Sequence, residues 1–263
     1  MDKTALITGA SSGIGRELAK LFAGGGYNLV LVARSRPIME ELAAELHIKY
    51  QVTITIIEKD LSSPASPREI FDELKSKSIH IDVLVNNAGI GVYGKFHETG
   101  FEEEIRQIHV NLLSLTHLTR LAVAEMLKKG GGKILNLGST ASFSPVPLAA
   151  IYGATKAYVL SFSEAIAKEL EGAGVTVTTL CPGPTATGFA DAAGMKGVRL
   201  FRMVVMDPER VAAIGYHALM KGKRVAVAGL QNKLQVFMLR FSPRRLILDV
   251  GQMLMSKKQP KRR

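Results

Sequence analysis

The sequence predicts an α/β fold: a single-domain, doubly wound parallel sheet of about seven strands with helices on both faces. Three observations carry this expectation. Short apolar runs alternate with longer amphipathic ones from residue 4 to residue 228, as repeated strand–crossover–strand units require. Most of the short runs are apolar throughout, which suits strands covered by helices on both faces. The first run, Thr4 to Thr8, leads directly into a glycine-rich turn, where sheets of this kind bind ligands. No repeat or low-complexity linker divides residues 1–230. They are read as one domain, and residues 231–263 as a basic, partly amphipathic C-terminal extension.

Strands are expected at 4–8, 28–33, 53–58, 83–86, 133–137, 176–180 and 224–228, and helices at 13–24, 38–48, 64–77, 102–129, 152–171 and 208–221. Right-handed crossovers bring all the strand C-terminal ends to one edge of the sheet. At the first end lies Thr8-Gly9-Ala10-Ser11-Ser12-Gly13-Ile14-Gly15. Its glycines allow a tight turn and close approach of a pyrophosphate to the positive N-terminus of the following helix. The second strand ends at Ala33-Arg34, with no carboxylate for a ribose 2′-hydroxyl. A guanidinium there favours a 2′-phosphate, hence NADP(H) over NAD(H). Asp60 and Leu61 follow the third strand, placed to reach an adenine amino group. Asn86-Asn87-Ala88-Gly89 ends the fourth, where Asn86 also suits a loop-stabilising role. Asn111 falls inside the 102–129 helix, where an asparagine either hydrogen-bonds to backbone or lines a cavity. Ser139 follows the fifth strand, thirteen residues before Tyr152.

Tyr152 and Lys156 lie one helical turn apart on one face. A phenol titrates near pH ~10 when unperturbed. An ammonium one turn away favours the phenolate, the tuning that general acid–base chemistry needs. The same spacing also fits a half-buried tyrosine beside a solvated lysine, so the pair draws its meaning from its neighbours.

Composition narrows the function classes. The chain has 263 residues, 47% hydrophobic and 22% charged, ordinary for a soluble enzyme. The lone cysteine, Cys181, excludes an internal disulfide framework and reads as a small buried hydrophobe. The six histidines form no metal-ligand pattern, so no metal site is expected. No secretory leader is read in the brief apolar run at 5–7, and no apolar stretch is long enough to span a bilayer. A cytoplasmic location is expected. Of the net charge of +11, residues 231–263 supply eight, from nine Lys or Arg against one acid, Asp249.

Taken together, the chain resembles a short-chain dehydrogenase/reductase of the compact, NADP-preferring, acyl-reductase-like kind, over residues 2–230. The resemblance rests on Thr8-Gly9-x-x-x-Gly13-Ile14-Gly15, Asn86 to Gly89, Asn111, Ser139, Tyr152-x-x-x-Lys156 and Cys181-Pro182-Gly183-Pro184-x-x-Thr187. It implies a Rossmann-type fold and a carbonyl reductase, or the reverse alcohol oxidation. Tyr152 would pass its proton to the substrate oxygen as hydride arrives, and Ser139 would hydrogen-bond that oxygen. Lys156 would lower the Tyr152 pKa and bind the nicotinamide ribose. Asn111 would hold a water linking Lys156 to solvent. Pro182, Gly183 and Thr187 would cover the nicotinamide, and Asn87, Ala88 and Gly89 would line the cofactor cleft. The basic residue often present in the glycine loop of NADP-preferring members is absent, since Ser11 and Ser12 stand there.

In the resemblance, residues 188–206 form the substrate lid. Phe189, Met195, Leu200, Phe201, Met203, Val204, Val205 and Met206 make it apolar, which suits a lipophilic ketone or 3-oxoacyl substrate. Half of these residues could equally pack on the body. The extension holds Leu246, Val250, Met253 and Leu254 on one helical face between basic residues. Three readings stay open: an interfacial helix on an anionic membrane, a helix packed on the body or on a second subunit, and a disordered basic end. Nucleic acid is not an expected partner, because the few aromatics are not interleaved with the basic residues. The resemblance implies a homodimer or homotetramer. A second reading of the whole chain is a non-catalytic nucleotide-binding or membrane-tethered protein that keeps the fold.

Overall fold

Seven strands pair in parallel in the order β3-β2-β1-β4-β5-β6-β7: β1 (Thr4–Thr8), β2 (Asn28–Ala33), β3 (Ile54–Glu58), β4 (Val83–Asn86), β5 (Gly132–Leu137), β6 (Val175–Cys181) and β7 (Val225–Val227). The computed structural model describes residues 3–202 and 205–257. The helices are α1 (Gly13–Gly24), α2 (Arg36–Tyr50), α3 (Ser66–Ser76), α4 (Phe101–Ile108), α5 (Leu115–Lys129), α6 (Ala150–Glu169), α7 (Phe189–Ala192), α8 (Pro208–Met220), α9 (Leu230–Leu239) and α10 (Arg244–Met255). The doubly wound sheet expected from the sequence is what forms.

Alternation along the strands divides the core in two. Ala5, Ile7, Leu29, Leu31 and Val85 face one side, covered by Leu18 and Phe22 of α1, Leu42 of α2 and Val211 of α8. Leu6, Val30, Val32, Leu84 and Ile134 face the other, covered by Ile70 of α3 and by Leu118 and Met126 of α5. Every residue of β1 and β4 is buried. Each buried Val, Leu or Ile among them contributes about 1.5–3 kcal/mol, so burial on both faces drives these runs to the centre of the sheet.

The expected boundaries hold within a few residues, and the departures have local causes. Helix α2 begins at Arg36 because Pro37, lacking an N–H, fits the first turn. Helix α3 likewise starts at Ser66, with Pro67 in its first turn. The expectation of one helix over 102–129 is corrected. A π-helical turn, His109–Ser114, separates α4 from α5 and has Asn111 within it.

The strand order reverses between β1 and β4, and this switch point opens the cleft in which such sheets bind ligands. The chain beyond β7 is also built into the fold. Gly229, at φ +88, turns the chain into α9. Met255 of α10 is 4% exposed and joins a third apolar cluster with Ala149, Ala193, Met195 and Val198. Among the described residues no helix is long and apolar enough to cross a membrane. Met203 and Val204 of the expected lid, and the basic residues Lys258, Lys261, Arg262 and Arg263, lie outside the described residues.

Candidate active site

The glycine turn after β1 is held by the end of β4 and the loop that follows it. Asn87 donates through Nδ2 to the carbonyl oxygens of Thr8 (2.9 Å) and Gly9 (3.1 Å). The Thr8 hydroxyl accepts from the Asn87 and Ala88 N–H groups, both at 3.0 Å, and donates to the Val85 carbonyl. Gly9 and Gly13 adopt φ values of +65 and +54, a region L side chains avoid. At Gly15 a Cβ would lie 2.3 Å from the Gly9 oxygen and 2.4 Å from Asn87 Nδ2, so glycine is required there for contact.

This turn fits a dinucleotide pyrophosphate. The first turn of α1 carries no acid, and the Ser12 N-cap makes no side-chain capping bond. The helix N-terminus therefore keeps N–H groups and a hydroxyl for an anion. Thr187 closes over the turn: a Cβ on Gly13 would meet its Cγ2 at 2.9 Å. Gly183 is held from beneath, where Asn232 of α9 would meet any Cβ at 2.5 Å. Ser11 and Ile14, both half-buried, complete the turn.

At the β2 edge, Arg34 is exposed and makes no ion pair among the described residues, whereas Arg36 is engaged by Glu58 (3.3 Å) and Glu40 (3.6 Å). Arg34 is thus, of these two arginines, the one without an ion-pair partner among the described residues. Asp60 accepts from the Ser62 N–H at 2.9 Å and pairs with Arg106 at 3.4 Å. Burial would raise its pKa, but the Ser62 bonds, then Arg106 and Arg34, outweigh burial and hold the carboxyl below its usual range. Leu61 is buried, its carbonyl receiving the Ser114 hydroxyl at 2.6 Å.

The catalytic candidates converge where β5 and β6 end. Ser139 caps the 3₁₀ turn Thr140–Phe143, accepting from the Ala141 N–H at 3.1 Å. Lys156, 5% exposed, donates to the Leu137 carbonyl at 2.7 Å, with its Nζ 5.8 Å from the centre of the Tyr152 ring. Burial depresses its pKa to about 8. Tyr152 keeps part of its surface exposed, but its phenol is desolvated. That desolvation pushes the phenol up, with the neighbouring Ser139 hydroxyl opposing. Ser139 directs its own proton towards the Pro182 carbonyl at 3.5 Å. The expectation that Lys156 lowers the Tyr152 pKa is not met in this geometry, because desolvation dominates and the ammonium is turned to Leu137. Cys181 is fully buried, and burial pushes its thiol up to about 12. It is inert as a nucleophile.

Asn111 resolves the two roles expected of it. Its Oδ1 accepts from the Ile90 N–H at 2.9 Å, and its Nδ2 donates to the Ile90 carbonyl (2.9 Å) and to Thr155 Oγ1 (3.2 Å). The π turn thus pins the loop after β4 to α6. A Cβ on Gly89 would lie 3.4 Å from Asn111 Oδ1 and 3.5 Å from Lys156 Nζ, so both side chains front the backbone of Gly89. Phe189 covers the site, its ring 5.4 Å from that of Tyr152.

Sequence reasoning missed two supporting sets. Asn86 ends β4 as expected, but its side chain turns to buried partners and not to the loop that follows. It donates to Asn136 (2.9 Å) and Thr119 (3.0 Å), and Asn136 donates to Ser163 of α6 (2.8 Å). This buried ladder ties β4, β5 and α6 together beneath the site. Asparagine inside the apolar run 134–137 was the signal. The second set is Tyr93 and the end of α10: Tyr93 donates to the Met255 carbonyl at 2.7 Å, and Lys257 lies over its ring at 5.0 Å. No spacing in the sequence joins residues so far apart. A separate cleft of about 750 Å³ lies between Pro145, α6 and α10. Ser139, Tyr152 and Lys156 do not line it.

Comparisons with known proteins place the sequence and the fold. The family model described as short chain dehydrogenase matches residues 3–196. A short-chain dehydrogenase from Sphingobium yanoikuyae, solved in complex with NADPH, is 31% identical with a TM-score of 0.83, covering 99% of this chain and 98% of that one. A bulky-bulky ketone specific alcohol dehydrogenase from Comamonas testosteroni is 32% identical, TM-score 0.77, covering 91% and 92%. A very-long-chain 3-oxoacyl-CoA reductase from Bos taurus is 34% identical over 192 residues, 71% of this chain and 60% of the relative.

Proposed function

The chain belongs to the short-chain dehydrogenase/reductase family and is an NAD(P)-dependent oxidoreductase, and from that premise we propose that it uses NADPH to reduce a hydrophobic ketone, of the 3-oxoacyl type, to an alcohol. One observation carries the substrate class. On one side, Tyr152 packs against an apolar cluster of Ala149, Ala193, Met195, Val198 and Met255, together with Phe189 and Leu148. A carbonyl brought to Tyr152 must carry apolar substituents to replace those contacts. The bulky-ketone and 3-oxoacyl relatives support the same class.

When bound, the nicotinamide cofactor supplies the hydride. The protein's own residues do the rest. Gly9, Ser11, Ser12, Gly13, Ile14 and Gly15 hold the pyrophosphate, and Arg34 takes the 2′-phosphate and gives the preference for NADPH. Asp60 and Leu61 border the adenine side, and Asn87, Ala88 and Gly89 line the cleft. Pro182, Gly183 and Thr187 close over the nicotinamide side. Tyr152, whose phenol burial pushes up, donates its proton to the carbonyl oxygen. Ser139 turns its hydroxyl from Pro182 to the same oxygen, stabilising the charge that develops there. Lys156 and Asn111, both at Gly89, hold the positive charge and the route by which the proton on Tyr152 is replaced. Phe189 bears on the substrate.

The test is NADPH oxidation against a panel of 3-oxoacyl thioesters, steroid ketones and small diketones. Turnover of apolar ketones with low KM is expected. Activity confined to small polar carbonyls would reject the substrate class. In the cell, a homodimer or homotetramer pairing α4–α5 and α6 across subunits fits the reading, and light scattering would determine it.

A further inference from the structure

Helix α9 rests on the body through Asn232, Val236 and Leu239, spaced one helical face apart, and each is half-buried. Its opposite face shows Leu234 at 61%, Phe237 at 53%, Met238 at 52% and, just past its end, Phe241 at 70% exposure. Helix α10 repeats the arrangement. Ile247, Gly251, Leu254 and Met255 turn inward, while Leu246 (52%), Val250 (40%) and Met253 (50%) face solvent. Large apolar side chains set outward at helical period on two successive helices are not scattered surface residues; they form a surface that is covered in use.

The charge around this surface says what covers it. Lys233, Arg240, Arg244, Arg245 and Lys257 are exposed and make no ion pair with an acidic side chain among the described residues. Lys258, Lys261, Arg262 and Arg263 follow in sequence, and Asp249 is the one acid of the whole segment. A second copy of the same face would bring these like charges together. An anionic lipid surface satisfies both properties at once, taking up the aromatic and aliphatic side chains between its headgroups and neutralising the cations.

The position of α10 connects this surface to the reaction. Its last turn closes the Tyr152 pocket: the Met255 side chain is buried in the cluster, its carbonyl holds Tyr93, and Ser256 accepts from the Arg199 N–H at 3.2 Å. We propose that the outward face of α9 and α10 docks on an anionic bilayer, so that one wall of the substrate pocket stands at the lipid surface. The delivery of substrate from lipid rests on the hydrophobic-ketone reading above; the docking itself does not.

The experiment is sedimentation of the full chain with vesicles of phosphatidylcholine alone or mixed with phosphatidylglycerol, at low and high salt. Binding to the mixed vesicles at low salt, weakened by salt, is expected. Arg240→Glu/Arg244→Glu/Arg245→Glu should reduce the partition by at least about 100-fold, at roughly fivefold per basic residue near the surface and more for reversal. Leu234→Ser/Phe237→Ser/Phe241→Ser should abolish it. Both variants should keep wild-type turnover of a water-soluble ketone, which shows that they fold. Failure of the full chain to bind mixed vesicles would overturn the proposal, as would undiminished binding by both variants. A serine variant that alters only the oligomeric mass would overturn it too, assigning the face to contact between copies. Because the assay needs no turnover, vesicle binding without ketone reduction would reject the enzymatic reading alone.

Discussion

On the proposed mechanism, Lys156 sets function against stability at a single side chain. It is almost fully buried and its pKa is depressed to about 8, so the native state holds the ammonium at a cost. Between that value and the ordinary lysine value, near ~10.4, the unfolded chain binds more protons than the native one, and stability rises with pH across that window. The cost is fully present below pH ~8. Lys156→Met should therefore lose turnover yet gain up to about 3 kcal/mol at pH 7, with the gain fading as pH rises through the window. Thermal unfolding at pH 7 and at high pH measures this. The same group shapes activity: kcat/KM for reduction should be level at neutral pH and fall above about 8 as Lys156 loses its proton, a limb absent from the Lys156→Met residual rate. Arg34→Ala should weaken NADPH binding by about 10–100-fold, as expected for a charge-assisted contact, and leave NADH binding unchanged, which titration calorimetry would report. Equal losses for both cofactors would show that Arg34 does not read the 2′-phosphate. Tyr152, Lys156, Ser139 and Arg34 were legible in the sequence because each follows a strand end or shares a helix turn. Their protonation was not, since it depends on how tightly the chain closes around them.

The same divide holds for whole elements. Strands β1, β2 and β4 and helix α1 fall where continuous apolar runs and the glycine turn place them. The π turn around Asn111 did not show in the sequence, because the apolar period of residues 102–129 passes through it without interruption. Its cause is tertiary: Asn111 must meet both backbone groups of Ile90 and also Thr155, and the wider turn gives the helix that reach. The Asn86–Asn136–Ser163 ladder is of the same kind. Asn136→Ala would leave Asn86 Nδ2 with only Thr119 and remove the donor to Ser163, so a loss of about 1–3 kcal/mol is expected in denaturant unfolding. A variant within a few tenths of a kcal/mol of wild type would mean the ladder is not holding β5 to α6. Gly15→Ala should damage the glycine turn directly, since its Cβ would enter the space of Gly9 oxygen and Asn87 Nδ2. Loss of NADPH binding together with about 1–3 kcal/mol of stability is the expected result.

Across the whole molecule, the sheet was legible in the sequence and the place of the chain beyond β7 was not. Nine cations near the end of the chain suggested an appendage, yet α9 supports Gly183 through Asn232 and α10 supplies Met255 to the pocket. Contacts between residues 93 and 255, or 183 and 232, leave no periodic trace in a single sequence and emerge only when the sheet brings strand ends together. The sheet, the glycine turn and the Tyr152 surroundings thus pack together with α9 and α10. The proposed role of Tyr152 is tested most directly by comparing wild type and Tyr152→Phe for NADPH oxidation with a 3-oxoacyl thioester. Wild type should turn over, and the variant, folded and still binding NADPH, should be slower by about 10²–10⁴-fold, the contribution of a positioned general acid. A folded Tyr152→Phe that binds NADPH and keeps the wild-type rate would contradict the account.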